Sequence, residues 1–288
     1  MKEYLEIVRK ILDKGELKKN RTGIDTISIA GAMFEHDMSE GFPLLTTKKM
    51  AHKSIRVELE GFIKGITDKK WYQDRGCRIW DEWCNPQKVM YGHDDETKRK
   101  MFEERDLGPI YGFQWRHFDA PYINFDSDYT GKGVDQLANI LNSLKNNPND
   151  RRMVINAWNP QQLNQMALPP CHYAFQVTVI NDKLNLLWAQ RSVDTMIGLP
   201  FNIASYGFLL HLLAKESGFK EGKLVGFLGD VHIYLNHIKG VEEQIKREPY
   251  GLSKVVTDNF NSLFNWEHNM TKIVGYKSHD KIEFPLAI

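Results

Sequence analysis

The stretch from Leu168 to Arg191, LPPCHYAFQVTVINDKLNLLWAQR, combines a proline-braced turn with two runs of strand character. Tyr173–Ile180 and Lys183–Arg191 are rich in apolar residues, and Asn181-Asp182 separates them. A two-residue connection of this composition is typical of a β-hairpin, because asparagine and aspartate accept the positive φ angles that such a turn needs. The sequence therefore predicts two adjacent strands here, preceded by a short strand over Met153–Ala157.

Segments outside this hairpin predict helices packed on a sheet. Apolar residues recur at helical spacing in four of them: residues 1–15, Lys53–Lys64, Leu137–Leu144 and Pro200–Ser217. The last is apolar nearly all round, which is typical of a buried central helix, and Thr26–Phe34 alternates as a strand does. Without repeats, linkers or a break in composition, we expect one α+β domain over residues 1–288, with a mixed β-sheet packed by helices. The charged stretch 86–106 is expected to be a surface insertion.

The composition is that of an ordinary globular protein. The 288 residues are 42% hydrophobic and 26% charged, and the formal net charge is +1. A charge so close to zero gives no bulk attraction to nucleic acid or to a membrane, so neither is an expected partner and anion binding must depend on individual arginines. No apolar run approaches the roughly 20 residues that span a bilayer, and the first residues do not resemble a signal peptide.

The cysteines argue against a disulfide framework and against zinc. There are three, Cys77, Cys84 and Cys171. An odd number without CxxC spacing is typical of a reducing compartment, so we expect a cytoplasmic protein. The ten histidines form no HExxH motif, and no metal site is expected.

Cys171 has features of a nucleophile. Pro169 and Pro170 fix two φ angles in front of it and remove two backbone donors. Arginines in the chain, among them Arg151 and Arg152, favour a thiolate if they lie near it, since cationic neighbours lower the pKa of a thiol. The competing interpretation of a single free cysteine is a buried core residue.

The arginines suit the capture of a phosphate, because a guanidinium offers a planar fork of donors. Arg151 and Arg152 stand just before a strand, where adjacent side chains point to opposite faces. Both can serve one pocket only if the pair projects from a loop or one side chain reaches elsewhere. Arg21, in the loop Asn20–Gly23, and Arg191, where its strand should end, are further candidates. Solvated surface charge is the alternative interpretation.

Two further polar groups offer hydrogen bonds. Asn202, near the start of the long helix, either caps that helix or presents its amide to a uracil ring, whose O4 and N3–H match the amide donor and acceptor. Asp230, His232 and Tyr234 share one face if their segment is extended, and then form a polar row suited to a hydroxyl group. Otherwise His232 is a structural histidine.

With these residues in place, the chain resembles the folate-dependent thymidylate synthases that use a cysteine nucleophile. The resemblance extends from about Lys2 to Ile288 and rests on five ordered blocks: NRTG at 20–23, GFPLLTTK at 41–48, LGPIYGFQWR at 107–116, LPPCH at 168–172 and GLPFNIASY at 198–206. It implies an α+β homodimer in which a face of the sheet forms the dimer interface. It also implies a methyltransferase that converts dUMP to dTMP, with 5,10-methylenetetrahydrofolate as co-substrate and no metal.

The resemblance assigns residues to three sets. The catalytic set is Cys171, which would attack C6 of the uracil ring, with Glu58, Tyr111, Asn202 and His172. The dUMP-binding set is Arg21, Arg151, Arg152, Gln190, Arg191, Ser192, Asp194, Asn202, His232 and Tyr234. The folate-binding set is Lys48, Trp80, Asp194, Gly198, Phe201 and Ala287. Arg151 and Arg152 are expected to reach the site of the other subunit, which would remove the difficulty of strand geometry.

Two positions depart from the family pattern. Gly61 stands where relatives commonly have tryptophan, in a helix where glycine costs roughly 1 kcal/mol relative to alanine. Either the helix is locally looser or a nearby aromatic residue, Trp71 or Tyr72, fills the gap. Lys49 replaces a common arginine, which predicts weaker contacts to the folate tail.

Three other functions compete with this one. A dUMP hydroxymethylase of the same superfamily lets water rather than hydride reach the intermediate, and Trp80 argues against it as a screen. A cysteine hydrolase using Cys171 and His172 is disfavoured because adjacent side chains diverge in a strand. A non-catalytic nucleotide- or RNA-binding protein is disfavoured because every catalytic position is present.

Overall fold

The computed structural model describes residues 1–286. Eight α-helices lie in that range: α1 (Lys2–Lys14), α2 (His52–Lys64), α3 (Lys69–Asp74), α4 (Asp95–Glu103), α5 (Tyr111–His117), α6 (Gln136–Asn146), α7 (Gly198–Ser217) and α8 (Ile238–Gln244). Eight strands accompany them: β1 (Glu16–Lys18), β2 (Thr26–Asp37), β3 (Val154–Asn156), β4 (His172–Ile180), β5 (Lys183–Asp194), β6 (Lys220–Tyr234), β7 (Lys254–Thr257) and β8 (Thr271–Val274). None of the helices described is long and apolar enough to cross a membrane.

Six of the strands form one mixed sheet in the order β1-β2-β6-β5-β4-β3, and β7 pairs with β8 separately. β2 runs antiparallel to β6, with Ser28 opposite His232. β5 runs parallel to β6, with Asp194 opposite the same histidine. The mixed sheet and the α+β class expected from the sequence are confirmed. The dimer interface assigned to a face of this sheet stays a prediction.

The chain divides into two compact units. The first unit comprises Met1–Ala51, Val179–Asn259 and the chain from Thr271 onward, and the second unit comprises His52–Thr178 and Phe260–Met270. That residues 1–288 act as one catalytic domain stays a prediction.

Helix α7 is the buried helix of the first unit. Thirteen of its 20 residues are buried, so almost every face is covered, and the helix packs against β5 and β6. Tyr206 stacks on Trp188 with ring centroids 5.4 Å apart. The helix ends at Gly218, whose φ of 79° is a left-handed conformation that glycine adopts without strain. The buried central helix predicted from the sequence is confirmed.

The turn at Asn181-Asp182 has the predicted conformation. The φ angle is 49° at Asn181 and 58° at Asp182, as at the two central residues of a type I′ turn. β5 then runs to Asp194, three residues past the end predicted at Arg191. β5 extends this far because its pairing with β6 continues to Asp194, which lies opposite His232. The sequence of β5 alone does not reveal this partner.

The second unit is built around α5, which packs against α2 and α6. Helix α6 buries the apolar series that predicted it: Leu137, Ile140, Leu141 and Leu144. The Asp135 carboxylate caps this helix by accepting the Ala138 N–H at 2.9 Å. The predicted helix is confirmed, and it ends at Asn146.

Residues 86–106 are largely exposed, as predicted, but they contain α4 and buried anchors. Met101 on α4 is buried, and its carbonyl accepts a hydrogen bond from the Lys69 amine at 2.5 Å. The fully buried Asp106 carboxylate pairs with Lys88 at 2.5 Å. The Lys69–Met101 hydrogen bond therefore ties the segment to the rest of the second unit, while the Lys88–Asp106 pair joins the two ends of the segment to each other.

Candidate active site

Tyr111 holds the backbone at the predicted nucleophile. Its hydroxyl oxygen accepts a hydrogen bond from the Cys171 N–H, 2.8 Å away. Cys171 is half-buried, whereas Tyr111 is buried at the first turn of α5. Because Pro169 and Pro170 carry no N–H, Cys171 is the first residue after Leu168 whose backbone can donate. The Tyr111 hydroxyl therefore anchors the turn at the backbone of Cys171.

Three rings cluster next to this hydrogen bond. Tyr111 stacks on both Phe62 of α2 and His172 of β4, with centroid distances of 4.9 Å and 4.4 Å, and the Phe62 and His172 rings are themselves 6.3 Å apart. Burial lowers the pKa of His172 to about 3, so the imidazole is neutral near pH 7. The sequence pointed to Tyr111 and His172 but missed Phe62. The available signal was its place four residues after Glu58, on the same face of a helix.

Glu58 is a buried carboxyl, with 8% of its surface exposed. Burial raises its pKa to about 7, and the nearby Trp80 indole N–H offsets part of that rise. The indole nitrogen is buried and makes no hydrogen bond within residues 1–286. Its N–H therefore lowers the Glu58 pKa as a nearby dipole and not as a hydrogen-bond donor. A carboxyl that is half protonated near neutral pH can both accept and return a proton.

Glu60, two residues further on α2, has the opposite environment. Its carboxylate is 2% exposed and lies 2.6 Å from the Lys64 amine and 2.7 Å from His268 Nδ1. Burial alone raises its pKa, but the hydrogen bonds from Lys64 and His268 outweigh burial and hold the pKa below its usual value. Glu58 and Glu60 therefore lie in different environments although only one residue separates them on α2. Only Glu58 is suited to proton transfer near pH 7.

Tyr72 fills the space beside Gly61. A β-carbon at position 61 would lie 2.3 Å from both Cε1 and the hydroxyl oxygen of Tyr72, far inside van der Waals contact. The Tyr72 ring is fully buried, and its hydroxyl donates to the Ile66 carbonyl at 3.0 Å. Of the two alternatives that the sequence left open, the filling of the gap by a neighbouring aromatic residue is confirmed.

In the first unit, two adjacent strands carry a row of polar residues: Gln190, Ser192 and Asp194 on β5, and Asp230, His232 and Tyr234 on β6. Ser192 lies opposite Asp230, and Asp194 opposite His232, so these side chains share one face of the sheet. The His232 ring is 5.3 Å from the Tyr234 ring, and its Nδ1 lies 3.2 Å from the Asp230 carbonyl. The extended segment on which the polar row depended is confirmed.

Asn202 is not a helix cap, and that interpretation of its position was wrong. Helix α7 already begins at Gly198, so Asn202 lies inside it. The approach to the helix is held instead by the Asp194 carboxylate, which accepts the N–H groups of Met196 and Ile197 at 3.0 Å and 3.1 Å. The side chain of Asn202 is therefore not needed at the helix start.

The Asn202 amide is oriented by a chain of hydrogen bonds. Its Oδ1 accepts from Gln190 Nε2 at 3.0 Å. Gln190 is buried, and its Oε1 accepts from Trp188 Nε1 at 3.1 Å. Because an indole nitrogen can only donate, it fixes which end of the Gln190 amide faces which neighbour. The Gln190 amide nitrogen therefore faces Asn202, and the Asn202 oxygen is the acceptor.

The four predicted phosphate ligands, Arg21, Arg151, Arg152 and Arg191, are all exposed. Arg151 and Arg152 lie in a turn before β3 rather than in a strand, so strand alternation does not separate them. Arg152 pairs with Asp150 at 3.0 Å with 86% of its side chain exposed. Arg191 lies inside β5 and not at its end, which corrects the position expected from the sequence.

Lys48, the residue predicted near the folate tail, is 6% exposed. Its amine donates to the Met196 carbonyl and lies 4.7 Å from the centroid of the Phe284 ring. Burial lowers its pKa to about 8, and the Asp194 carboxylate opposes that shift. In this arrangement the amine is turned inward, so a role for Lys48 in folate binding stays a prediction.

The other folate predictions fall in different parts of the chain. Gly198 and Phe201 lie in the first turn of α7 in the first unit, each partly exposed. Trp80 belongs to the second unit, 4% exposed and 6.1 Å from the Tyr111 ring. Ala287 lies outside the described residues.

Comparison with known proteins identifies relatives for the whole chain. The sequence profile of the family described as thymidylate synthase matches residues 2–288. The bifunctional dihydrofolate reductase-thymidylate synthase of Paramecium tetraurelia is 43% identical over 286 residues. That alignment covers 99% of this chain and 61% of the relative, so the chain spans about three fifths of that curated protein.

Proposed function

The chain belongs to the thymidylate synthase family, and from that premise we propose that it converts dUMP to dTMP. The co-substrate is 5,10-methylenetetrahydrofolate, which supplies one carbon and a hydride and leaves as dihydrofolate. The observation that best supports this proposal is the hydrogen bond from the Cys171 N–H to Tyr111, beside the ring stack that includes His172. A thiol held in this way suits addition to an activated ring carbon.

The proposed reaction begins at Cys171. Its thiolate adds to C6 of the uracil ring, and the electron pair of the C5–C6 double bond moves onto C5 and O4. C5 then attacks the methylene carbon of the opened folate. Loss of the C5 proton and elimination of tetrahydrofolate leave an exocyclic methylene group. Hydride from the tetrahydrofolate reduces this group to the methyl of dTMP, dihydrofolate forms, and Cys171 leaves from C6.

Glu58 is assigned the transfer of protons at O4. Its pKa of about 7 allows it to donate a proton as negative charge develops on O4 and to recover it later. His172 is neutral because of its burial, so it serves this exchange as a hydrogen-bonding group rather than as a source of protons. Tyr111 is assigned the removal of the C5 proton.

Asn202 is assigned the recognition of the uracil ring. A side-chain amide places a donor and an acceptor side by side, which matches O4 and N3–H of uracil and mismatches cytosine. The hydrogen bond from Gln190 to Asn202 Oδ1 supports this role, because it limits rotation of the amide. His232 and Tyr234 are assigned the deoxyribose hydroxyl.

The 5′-phosphate is assigned to Arg21, Arg191 and Ser192, with Arg151 and Arg152 supplied by the other subunit of a homodimer. The exposure of Arg151 and Arg152 on a turn supports a role in binding outside their own subunit. We further propose a cytoplasmic location, which the free cysteines Cys77, Cys84 and Cys171 support.

Product analysis tests the proposal. Purified protein is mixed with dUMP and methylenetetrahydrofolate, the near-ultraviolet absorbance of dihydrofolate is followed, and the nucleotide is identified by mass. We expect dihydrofolate and dTMP to form in equal amounts. The Cys171→Ser variant should lose at least about a thousand-fold in rate, whereas Cys84→Ala should keep its activity.

The dUMP hydroxymethylase of the same superfamily is not favoured by the family match. The same experiment separates the two reactions, because hydroxymethyl-dUMP formed without dihydrofolate would contradict the synthase. Binding of dUMP without any product or adduct at Cys171 would contradict both.

A further inference from the structure

Three side chains of the first unit converge at a place that the proposed reaction does not use. Glu3 lies in the first turn of α1, His36 lies near the end of β2, and Glu40 lies in the short 3₁₀ turn that follows that strand. One carboxylate oxygen of each glutamate and one ring nitrogen of His36 all lie within 4.8 Å of one another. None of the three residues is assigned to the nucleotide or to the folate.

His36 is the buried member of this cluster, and one of its ring nitrogens is available to a metal. Only 2% of its surface is exposed. Its Nε2 lies 2.8 Å from the Gly41 carbonyl, which can only accept, so Nε2 carries a proton, and in the neutral imidazole Nδ1 carries the lone pair. Nδ1 is buried and has no hydrogen-bond partner among residues 1–286. A backbone carbonyl that fixes the tautomer in this way is a common second partner of histidines that bind metals.

Glu3 adds a second buried acceptor. Its Oε2 is buried and likewise finds no hydrogen bond within the described part of the chain. Two neighbouring acceptors without a donor cost free energy in a buried place. A bound cation removes that cost for both at once. Glu40 is exposed, so its carboxylate can move the short distance needed to complete the set.

We propose that Glu3, His36 and Glu40 bind a divalent transition-metal cation, of which Zn²⁺ is the most suitable. An imidazole nitrogen with two carboxylates suits zinc and its neighbours, whereas Mg²⁺ and Ca²⁺ prefer oxygen ligands alone. Zinc ligands lie at about 2.0–2.2 Å from the metal, so the three atoms need to close by only a fraction of their present separation. The ion joins the start of α1 to the end of β2.

The competing cation is the amino group of Met1. Burial lowers its pKa, and the charges of Glu3 and Glu40 act in the opposite direction, so this group lies near the same carboxylates. An ammonium at Met1 would balance the charge of the carboxylates, but His36 Nδ1 receives no hydrogen bond from it or from any other group in residues 1–286. The metal accounts for all three side chains.

Titration with Zn²⁺ tests the site. Full-length protein carrying Cys171→Ser, so that the reactive thiol does not take the metal, is treated with a chelator and titrated in a calorimeter. We expect one Zn²⁺ per chain and a higher melting temperature with Zn²⁺, because a ligand of the folded state stabilises it. Co²⁺ in place of Zn²⁺ should give visible absorption bands.

Single substitutions identify the ligands. Glu40→Gln and His36→Gln should each raise the Kd for Zn²⁺ by at least about ten-fold, and His93→Gln, which changes an exposed histidine elsewhere, should leave it unchanged. Glu40 is exposed, so its variant decides the question even if His36→Gln fails to fold. Absence of Zn²⁺ binding, or binding that neither substitution weakens, would overturn the proposal.

Discussion

The hydroxyl oxygen of Tyr111 accepts the backbone N–H of Cys171 at 2.8 Å, and the same phenol ring stacks on His172. One side chain therefore holds both the backbone of the nucleophile and the ring that follows it. Removing only the hydroxyl should separate these two contributions.

Tyr111→Phe keeps the stack and leaves the Cys171 N–H without its acceptor. We expect the free energy of unfolding to fall by about 1–3 kcal/mol and the rate of dTMP formation to fall at least ten-fold, by analogy with the loss of one positioned hydrogen bond. Urea unfolding and steady-state kinetics measure the two effects. Tyr129→Phe is the control, because the Tyr129 hydroxyl also accepts backbone N–H groups, at 2.8 Å and 3.1 Å. It should lose stability but keep its rate, and equal rates for the two variants would contradict the assignment.

The stability that the Glu58 carboxyl contributes should fall as the pH rises. Its pKa is raised from 4.5 to about 7 in the folded state, so the folded state binds the proton more tightly. The stabilisation is complete below about pH 4.5 and is lost as the pH rises to about 7, a change of about 3 kcal/mol. Glu58→Gln should remove this dependence, so the variant gains stability relative to the wild type at higher pH. Denaturant unfolding at several pH values measures it.

Glu60 is the matched control for that experiment, since it lies on the same helix with the opposite shift. Its pKa is held low by Lys64 and His268. The stability that it contributes is therefore present above its ordinary pKa of 4.5 and is lost as the pH falls. Glu60→Gln should destabilise the protein near neutral pH, and this cost should shrink in acid. The same sign of pH dependence for Glu58→Gln and Glu60→Gln would contradict the two environments.

The ring of His172 should stay neutral over the range in which most histidines titrate. Burial lowers its pKa to about 3, so its ring NMR signals should not move between about pH 5 and pH 8. The folded state excludes a proton that the unfolded chain binds near pH 6.5, so stability is lost as the pH falls through that value. His172→Gln identifies the signals by their disappearance. A ring signal of His172 that titrates near pH 6.5 would show that the ring is not buried as described.

Gly61→Ala should destabilise the protein although alanine is the better helix former. The new β-carbon meets Tyr72 at 2.3 Å, and overpacking costs about 1–3 kcal/mol, more than the roughly 1 kcal/mol that alanine gains in a helix. In a Tyr72→Leu background the same change should cost less or become favourable. A double-mutant cycle in urea measures the coupling, and additive effects would exclude the contact.

Elements with a local sequence signal could be predicted, whereas features that depend on contacts with residues elsewhere in the chain could not. The apolar spacing from Leu137 to Leu144 and the Asn181-Asp182 turn carry their own evidence, and both appear as predicted. The end of β5 at Asp194 depends on pairing with β6, and the role of Asn202 depended on whether Asp194 already held the helix start. Each required knowledge of a residue elsewhere in the chain.

The candidate site shows the same division. Cys171, Tyr111 and His172 stood out because of their motifs, and the structure brings them together. Phe62 and the ionisation of Glu58 depend on burial, which spacing does not reveal. The cluster of Glu3, His36 and Glu40 matches no metal motif because its first and second members are 33 positions apart, and only the packing of α1 beside β2 brings them together.

The fit between Gly61 and Tyr72 also constrains how such a chain can evolve. The space between these two positions accommodates one large side chain. A lineage that exchanges a large residue at position 61 for one at position 72 must therefore lose the large residue at 61 before it gains the one at 72. The reverse order passes through an overpacked core, whereas the permitted order passes through a cavity that a marginally stable protein has to tolerate. Substitutions at the two positions are therefore expected to be inherited as a pair, and a large residue at 61 should be absent from descendants that keep Tyr72.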